Sequence, residues 1–227
     1  MTALALALIL PLASCVSHGG FATAGLPSLD PAYPLPEHEA YAEIPLNEVQ
    51  TKIVAGALAL NGKTSFTVGD KSFPADCTGV VRAAYAYAGI DLARDFGLYS
   101  GNGVRRLFMT LQKAGLLYAV KYPAPGDIVF WDNTYDANGN GKADDELTHV
   151  GVVVSVEPDG SIRYLHHHYR LGAVIENMNL LNPDITLGED GRTINAYLRM
   201  RGSPDGPGTN AAQLFRILGK GWLLTPE

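Results

Sequence analysis

Apolar residues recur at three- and four-residue intervals in three stretches of the first half of the chain and gather into dense short runs in the second half. Val49, Ile53, Val54, Ala57 and Leu58 share one face of a helix predicted over 46–60, which Asn61-Gly62 closes. Val81, Ala84 and Ala88 fall on the face that also carries Cys77, predicting a helix over 77–89. Val104, Leu107, Phe108 and Leu111 predict a third over 103–114, ended by Gly115. The stretch 64–73 reads as loop or short strand. Beyond it the period changes: 128–131, 150–156 and 162–168 are rich in β-branched and aromatic residues, and Glu157-Pro158-Asp159-Gly160 turns the second run into the third. Helices first and strands afterwards predict an α+β fold with an antiparallel sheet packed on the Cys77 helix. After 179 the pattern weakens, to an edge strand at 194–200, a Pro/Gly loop at 203–208 and a short helix at 211–218. There is no internal repeat.

Composition divides the chain further. The segment 16–45 is rich in Gly, Pro, Ala and Ser and reads as a flexible tether, with order beginning near Leu46. A catalytic domain is expected over 46–202, followed by a C-terminal loop and short helix over 203–227. With 227 residues, 47% hydrophobic and 18% charged, one good-sized core is expected. A net charge of -6 without any Lys/Arg run argues against nucleic acid as a partner. The apolar stretch 1–14 falls short of the roughly 20 residues of a spanning helix and reads as a secretory signal. Its end, Leu12-Ala13-Ser14-Cys15, resembles the lipobox of bacterial lipoproteins. That resemblance implies lipidation at Cys15 in a signal/lipobox unit of residues 1–15, export to the bacterial cell envelope and anchoring to the membrane. Cys77 is then the one thiol left, with no disulfide to silence it.

The chemistry centres on two short segments, Asp76-Cys77-Thr78-Gly79 and Thr148-His149-Val150-Gly151. Asp76 is placed to cap the Cys77 helix, and a thiol at a helix N-terminus faces free N–H groups and partial positive charge, an expectation of thiolate. In chain order come the Cys77 motif, Pro125-Gly126-Asp127, the His149 motif and then His166-His167-His168. Over about 46–180 this order resembles the NlpC/P60 family of cell-wall cysteine peptidases, a papain-like group that neighbours the CHAP amidases. The resemblance implies the papain-like NlpC/P60 fold and a peptidase or amidase acting on an amide bond of peptidoglycan peptides. It also implies Cys77 as nucleophile, His149 as base and a third polar residue that orients His149. That third residue is expected at His166, with His168 second. A backbone N–H at the start of the Cys77 helix is the expected oxyanion donor. Where many members carry Tyr-x-Trp-Gly-Gly ahead of the cysteine, this chain reads Thr64-Ser65-Phe66-Thr67-Val68-Gly69, so different substrate subsites are expected.

One loop invites a metal. Asp136, Asn138 and Asn140 occupy positions one, three and five of an EF-hand-like pattern, with Gly141 at six and Asp144 at nine, although position twelve is Leu147. Calcium in a structural role and a solvated loop without an ion are both open readings. The chemistry itself requires no cofactor. Three adjacent histidines offer at most two ligands from one strand face, fewer than a zinc site uses. Two alternatives to hydrolysis stand beside it: a non-catalytic envelope lipoprotein of the same fold that binds wall peptides or a partner, and an acyltransferase using the same Cys/His pair.

Overall fold

The structure is a computed structural model that describes residues 34–206 and 208–225. The signal segment, Cys15 and most of the tether therefore lie outside the described residues. Residues 34–45 form no regular element but are laid against the domain: Glu39 accepts the Lys121 N–H (2.6 Å), the Lys121 ammonium donates to the Glu37 carbonyl (2.9 Å), and Tyr41 packs edge-on against Tyr122. Order thus begins ahead of Leu46.

The first helix, α1 (Glu48–Leu60), starts at a capping box in which the Asn47 side chain accepts the Gln50 N–H and the Gln50 side chain accepts that of Asn47. A hairpin follows, β1 (Phe66–Val68) and β2 (Lys71–Phe73), which resolves the loop-or-strand expectation for 64–73. Next come α2 (Cys77–Ala86) and α3 (Gly103–Lys113), close to their predicted spans. Gly79 is required in the first turn of α2, because a Cβ there would stand 1.9 Å from the Pro74 carbonyl oxygen. The packing that delivers Cys77 needs that missing side chain.

The remaining strands are β3 (Leu117–Tyr118), β4 (Ile128–Trp131), β5 (His149–Val156), β6 (Ser161–His168), β7 (Gly172–Asn179) and β8 (Phe215–Gly219). They form one antiparallel sheet in the order β3-β8-β4-β5-β6-β7. The architecture is α+β, with α2 packed on β5 and β6. Both faces of the sheet are covered, which is why all four residues of β4 are buried and read as a continuous apolar run. On the helix side Val150, Val152, Val154 and Leu165 join the core of α1 to α3. On the other side Val129, Trp131, Val153 and Tyr164 are covered by residues 180–214.

That covering segment departs from the sequence reading. Only an isolated bridge, Tyr197↔Asn210, forms in the expected strand at 194–200. The expected helix over 211–218 is instead a turn followed by β8, which slots between β3 and β4. Ala-Ala-Gln-Leu-Phe-Arg-Ile-Leu has fair helical propensity, but pairing with two strands far away in sequence overrides it. Residues beyond 202 thus supply a strand of the main sheet. Buried asparagines serve the irregular backbone here: Asn195 donates to the Asn182 and Ile185 carbonyls and accepts the Asn179 N–H. They take the place of a ladder.

Candidate active site

Cys77 is the first residue of α2. The Asp76 side chain caps the helix by accepting the Gly79 N–H (2.7 Å), and the Asp76 carbonyl accepts that of Val80 (3.1 Å). The thiol takes hydrogen bonds from the N–H groups of Thr78 and Val150. It therefore touches β5 one residue after His149. The Cys77 N–H has no protein acceptor among the described residues and faces the start of the helix, where a developing oxyanion needs a donor.

His149 opens β5 and shares its sheet face with Gly151 and Val153, while His166 shares the neighbouring face position on β6 opposite Gly151. The two rings meet, His149 Nε2 to His166 Nδ1 at 2.9 Å. The chain continues from His166 Nε2 to Glu176 Oε2 at 3.0 Å, on β7. A carboxylate only accepts, so His166 donates from Nε2 and accepts at Nδ1 from the His149 Nε2–H; these tautomers are assigned from the network. His149 Nδ1 is then a bare lone pair. A cavity of about 230 Å³ is lined by Cys77, His149 and His166, together with Tyr135, Tyr169 and Tyr197.

The loop from β4 to β5 holds His149 rigidly. Leu147 is fully buried with φ +54°, a conformation a branched residue adopts only when its surroundings impose it. Asp132 imposes it by accepting the Leu147 N–H (2.7 Å) while itself held by Arg216 (3.0 Å), and Asn102 donates to the Leu147 carbonyl (3.2 Å). Trp131 packs beneath the His149 ring at 5.7 Å.

The electrostatics correct one expectation. Burial, and then the neighbouring Asp76 carboxylate, push the Cys77 thiol up to about 11, so the resting group is a thiol and not the thiolate expected at a helix N-terminus. Desolvation and a like-charged neighbour outweigh the helix end. Burial, followed by His166, His167 and His168, holds the His149 imidazole well below its usual range, so it is neutral at pH 7. The site combines a protonated thiol with a neutral base.

The other sequence candidates separate clearly. His168 turns outward, its Nδ1 accepting the N–H groups of Arg170 and Leu171, and its ring stacks on Tyr169. His167 points to the opposite face, edge-on to Phe66, and both it and His168 line the wall of the cavity without joining the His149–His166 hydrogen-bonded series. Asp127, from Pro125-Gly126-Asp127, is fully buried and accepts from the Tyr118 hydroxyl, the Trp222 indole (2.9 Å) and the Ala124 N–H (2.7 Å). It fastens strands and is shut off from solvent. Asp136, Asn138, Asn140 and Asp144 share one exposed loop and bond within it: Asp136 accepts from the N–H groups of Gly139, Asn140 and Gly141, and Asp144 accepts from the Asn140 amide. Among the described residues no group of three or more His, Cys, Asp or Glu is arranged to hold a metal. Glu176 was not among the sequence candidates. Its signal is an acid between Val174 and Met178 on one face of β7, but that strand, Gly-Ala-Val-Ile-Glu-Asn-Met-Asn, carries too little β-branched or aromatic character to announce itself.

A half-buried cysteine and an imidazole that a second strand orients line one cavity, and the α+β architecture around them is compatible with a papain-like fold. The CHAP domain family, a papain-like cysteine peptidase/amidase group related to NlpC/P60, matches residues 68–168. The match contains Cys77, His149 and His166 and stops short of Glu176. No curated protein and no solved structure matches the chain.

Proposed function

We propose that this protein is an exported, lipid-anchored cysteine hydrolase of papain-like NlpC/P60 type that cuts an amide bond in peptidoglycan peptides. The observation that carries this reading is the unbroken hydrogen-bonded chain Glu176–His166–His149, ending in an open nitrogen at the cavity that Cys77 lines. CHAP domains act on peptidoglycan, which supports the substrate. Cys77 Sγ attacks the amide carbonyl as its proton passes to His149 Nδ1, so deprotonation accompanies attack on a thiol that is not pre-ionised. The carbonyl oxygen gathers negative charge at the Cys77 N–H. Collapse expels the amine, which takes the proton from His149 and leaves a thioester. Water, deprotonated by His149, then releases the acid and restores the thiol.

Purified cell-wall sacculi test this directly. The wild-type chain should release soluble fragments whose new carboxyl groups carry ¹⁸O from labelled water, and Cys77→Ala should release none. Equal release by Cys77→Ala overturns the assignment, and unlabelled products joined to an added amine identify acyl transfer instead. Anchoring at Cys15 predicts incorporation of labelled palmitate that Cys15→Ser loses. The proposal includes calcium as a structural ion of the 136–144 loop, supported by the oxygen-bearing side chains of Asp136, Asn138, Asn140 and Asp144. A melting temperature raised by calcium and lowered by chelator is the expected result; indifference to both removes the ion from the account.

A further inference from the structure

The outer edge of the sheet is β7. Antiparallel pairing with β6 uses the backbone groups of alternate residues, so those of Ala173, Ile175, Asn177 and Asn179 point away from the sheet. The fold occupies most of them. Ala173 donates to the Lys63 carbonyl (2.8 Å) and accepts from Gly62 (2.7 Å), and the Ile175 N–H donates to Asn61 Oδ1 (3.1 Å). Further along, the Asn177 carbonyl accepts from Ala196 (2.8 Å) and the Asn179 N–H donates to Asn195 Oδ1 (2.7 Å). Two groups remain without a protein partner among the described residues, the Ile175 carbonyl and the Asn177 N–H.

Both lie where a groove of about 710 Å³ runs between β7 and the 186–197 segment. The groove shares His168 and Tyr197 with the catalytic cavity. On its rim Leu187 is 59% and Tyr197 69% exposed. A carbonyl at one residue and an N–H two residues later are the pair that a single residue of a parallel strand engages, donating to the first and accepting from the second. Sheet edges are ordinarily covered or paired. Here the chain covers the edge on both sides and leaves an opening one residue wide.

We propose that this groove is a subsite for the substrate's peptide, seating one extended residue on β7 by strand addition, with Leu187 and Tyr197 against its neighbours. The proposal rests on the peptide-cutting reading above and names where the chain grips such a substrate. It also couples grip to chemistry. Glu176 lines the groove, so a seated peptide displaces water from the Glu176–His166 hydrogen bond and strengthens it as the local dielectric falls.

The test is amide hydrogen exchange at single-residue resolution on the Cys77→Ala chain, with and without a peptidoglycan stem tetrapeptide, beside a cleavage assay of that peptide by the wild-type chain. Exchange at Asn177 should slow at least tenfold, while Ile175, whose N–H is already bonded to Asn61, changes little. Methylating the peptide nitrogens one at a time should identify a single position that loses the protection, the one that donates to the Ile175 carbonyl. Cleavage without protection at Asn177 overturns the subsite and leaves the hydrolase. Protection without cleavage supports the subsite and overturns the hydrolase. Neither protection nor cleavage overturns both.

Discussion

Two carboxylates, Asp127 fully buried and Glu176 part-buried, anchor two networks on the same sheet, and they end differently. Asp127 accepts three donors, from Tyr118, Ala124 and Trp222, and is closed off from solvent. Glu176 accepts from His166, which accepts from His149, and His149 lines the same cavity as the Cys77 thiol. The first network is saturated and can only hold β3, β4 and the C-terminal turn together. The second leaves one lone pair unspent, and an unspent lone pair next to a nucleophile is what general-base chemistry needs. Both carboxylates stand in polar networks, so burial and hydrogen bonding alone do not mark a functional acid. What marks it is where the network terminates.

Substitutions break this contrast in order of size. His149→Ala should lower kcat by about 10³-fold, within the range that positioned proton transfer supplies, and should cost only about 1 kcal/mol of stability for the one buried acceptor it strands, His166 Nδ1. Asp127→Ala should do the reverse: it strands three part-buried donors and costs about 3 kcal/mol of stability in chemical denaturation, at about 1 kcal/mol each, while any folded fraction keeps its specific activity. If Asp127→Ala folded normally and lost turnover, the two networks would not be distinct. Glu176→Gln preserves shape and a hydrogen-bond acceptor but removes the charge that fixes the His166 tautomer. It should lower kcat about tenfold with KM little changed, and Glu176→Ala should lower it further, so that the amide variant partly rescues. Equal losses in both variants would reduce Glu176 to packing.

The smallest effect concerns pH. Burial and Asp76 raise the thiol from its ordinary value of 9.0 to about 11, which favours the protonated form. Alkylation of Cys77 by iodoacetamide should therefore be slow at neutral pH and still climbing at pH 9 to 10, whereas a depressed thiol would level off below neutrality. His149 shifts the opposite way, so loss of activity on acidification should come well below the ordinary 6.5 of an imidazole. A plateau of alkylation below pH 7 would contradict the neutral thiol.

The sequence made the reactive groups visible more fully than the frame that aims them. Cys77 and His149 sit in short motifs with local causes, a capped helix start and the first residue of an apolar strand, and β4 to β6 show as runs of β-branched and aromatic residues. The choice between His166 and His168 had to wait for the third strand, because alternation puts both on one face and only the position of His149 separates them. Glu176 had to wait longer, since its role exists only once β5, β6 and β7 are side by side. The 211–218 segment shows the same limit in the fold: its local preference is helical, and the vacancy between β3 and β4 makes it a strand. The pinned Leu147 has no local signature at all, because its left-handed backbone is imposed by Asp132 and Asn102 from elsewhere in the chain.

The central claim is that Glu176 and His166 fix His149 as a neutral base whose unprotonated nitrogen serves the cavity that Cys77 lines. Nitrogen-15 NMR of the histidine side chains at pH 7 tests it most directly. The account predicts a neutral His149 with the proton on Nε2 and an unprotonated Nδ1, shifting toward mixed tautomers in Glu176→Gln. An imidazolium at His149, or a neutral ring protonated on Nδ1, would contradict it.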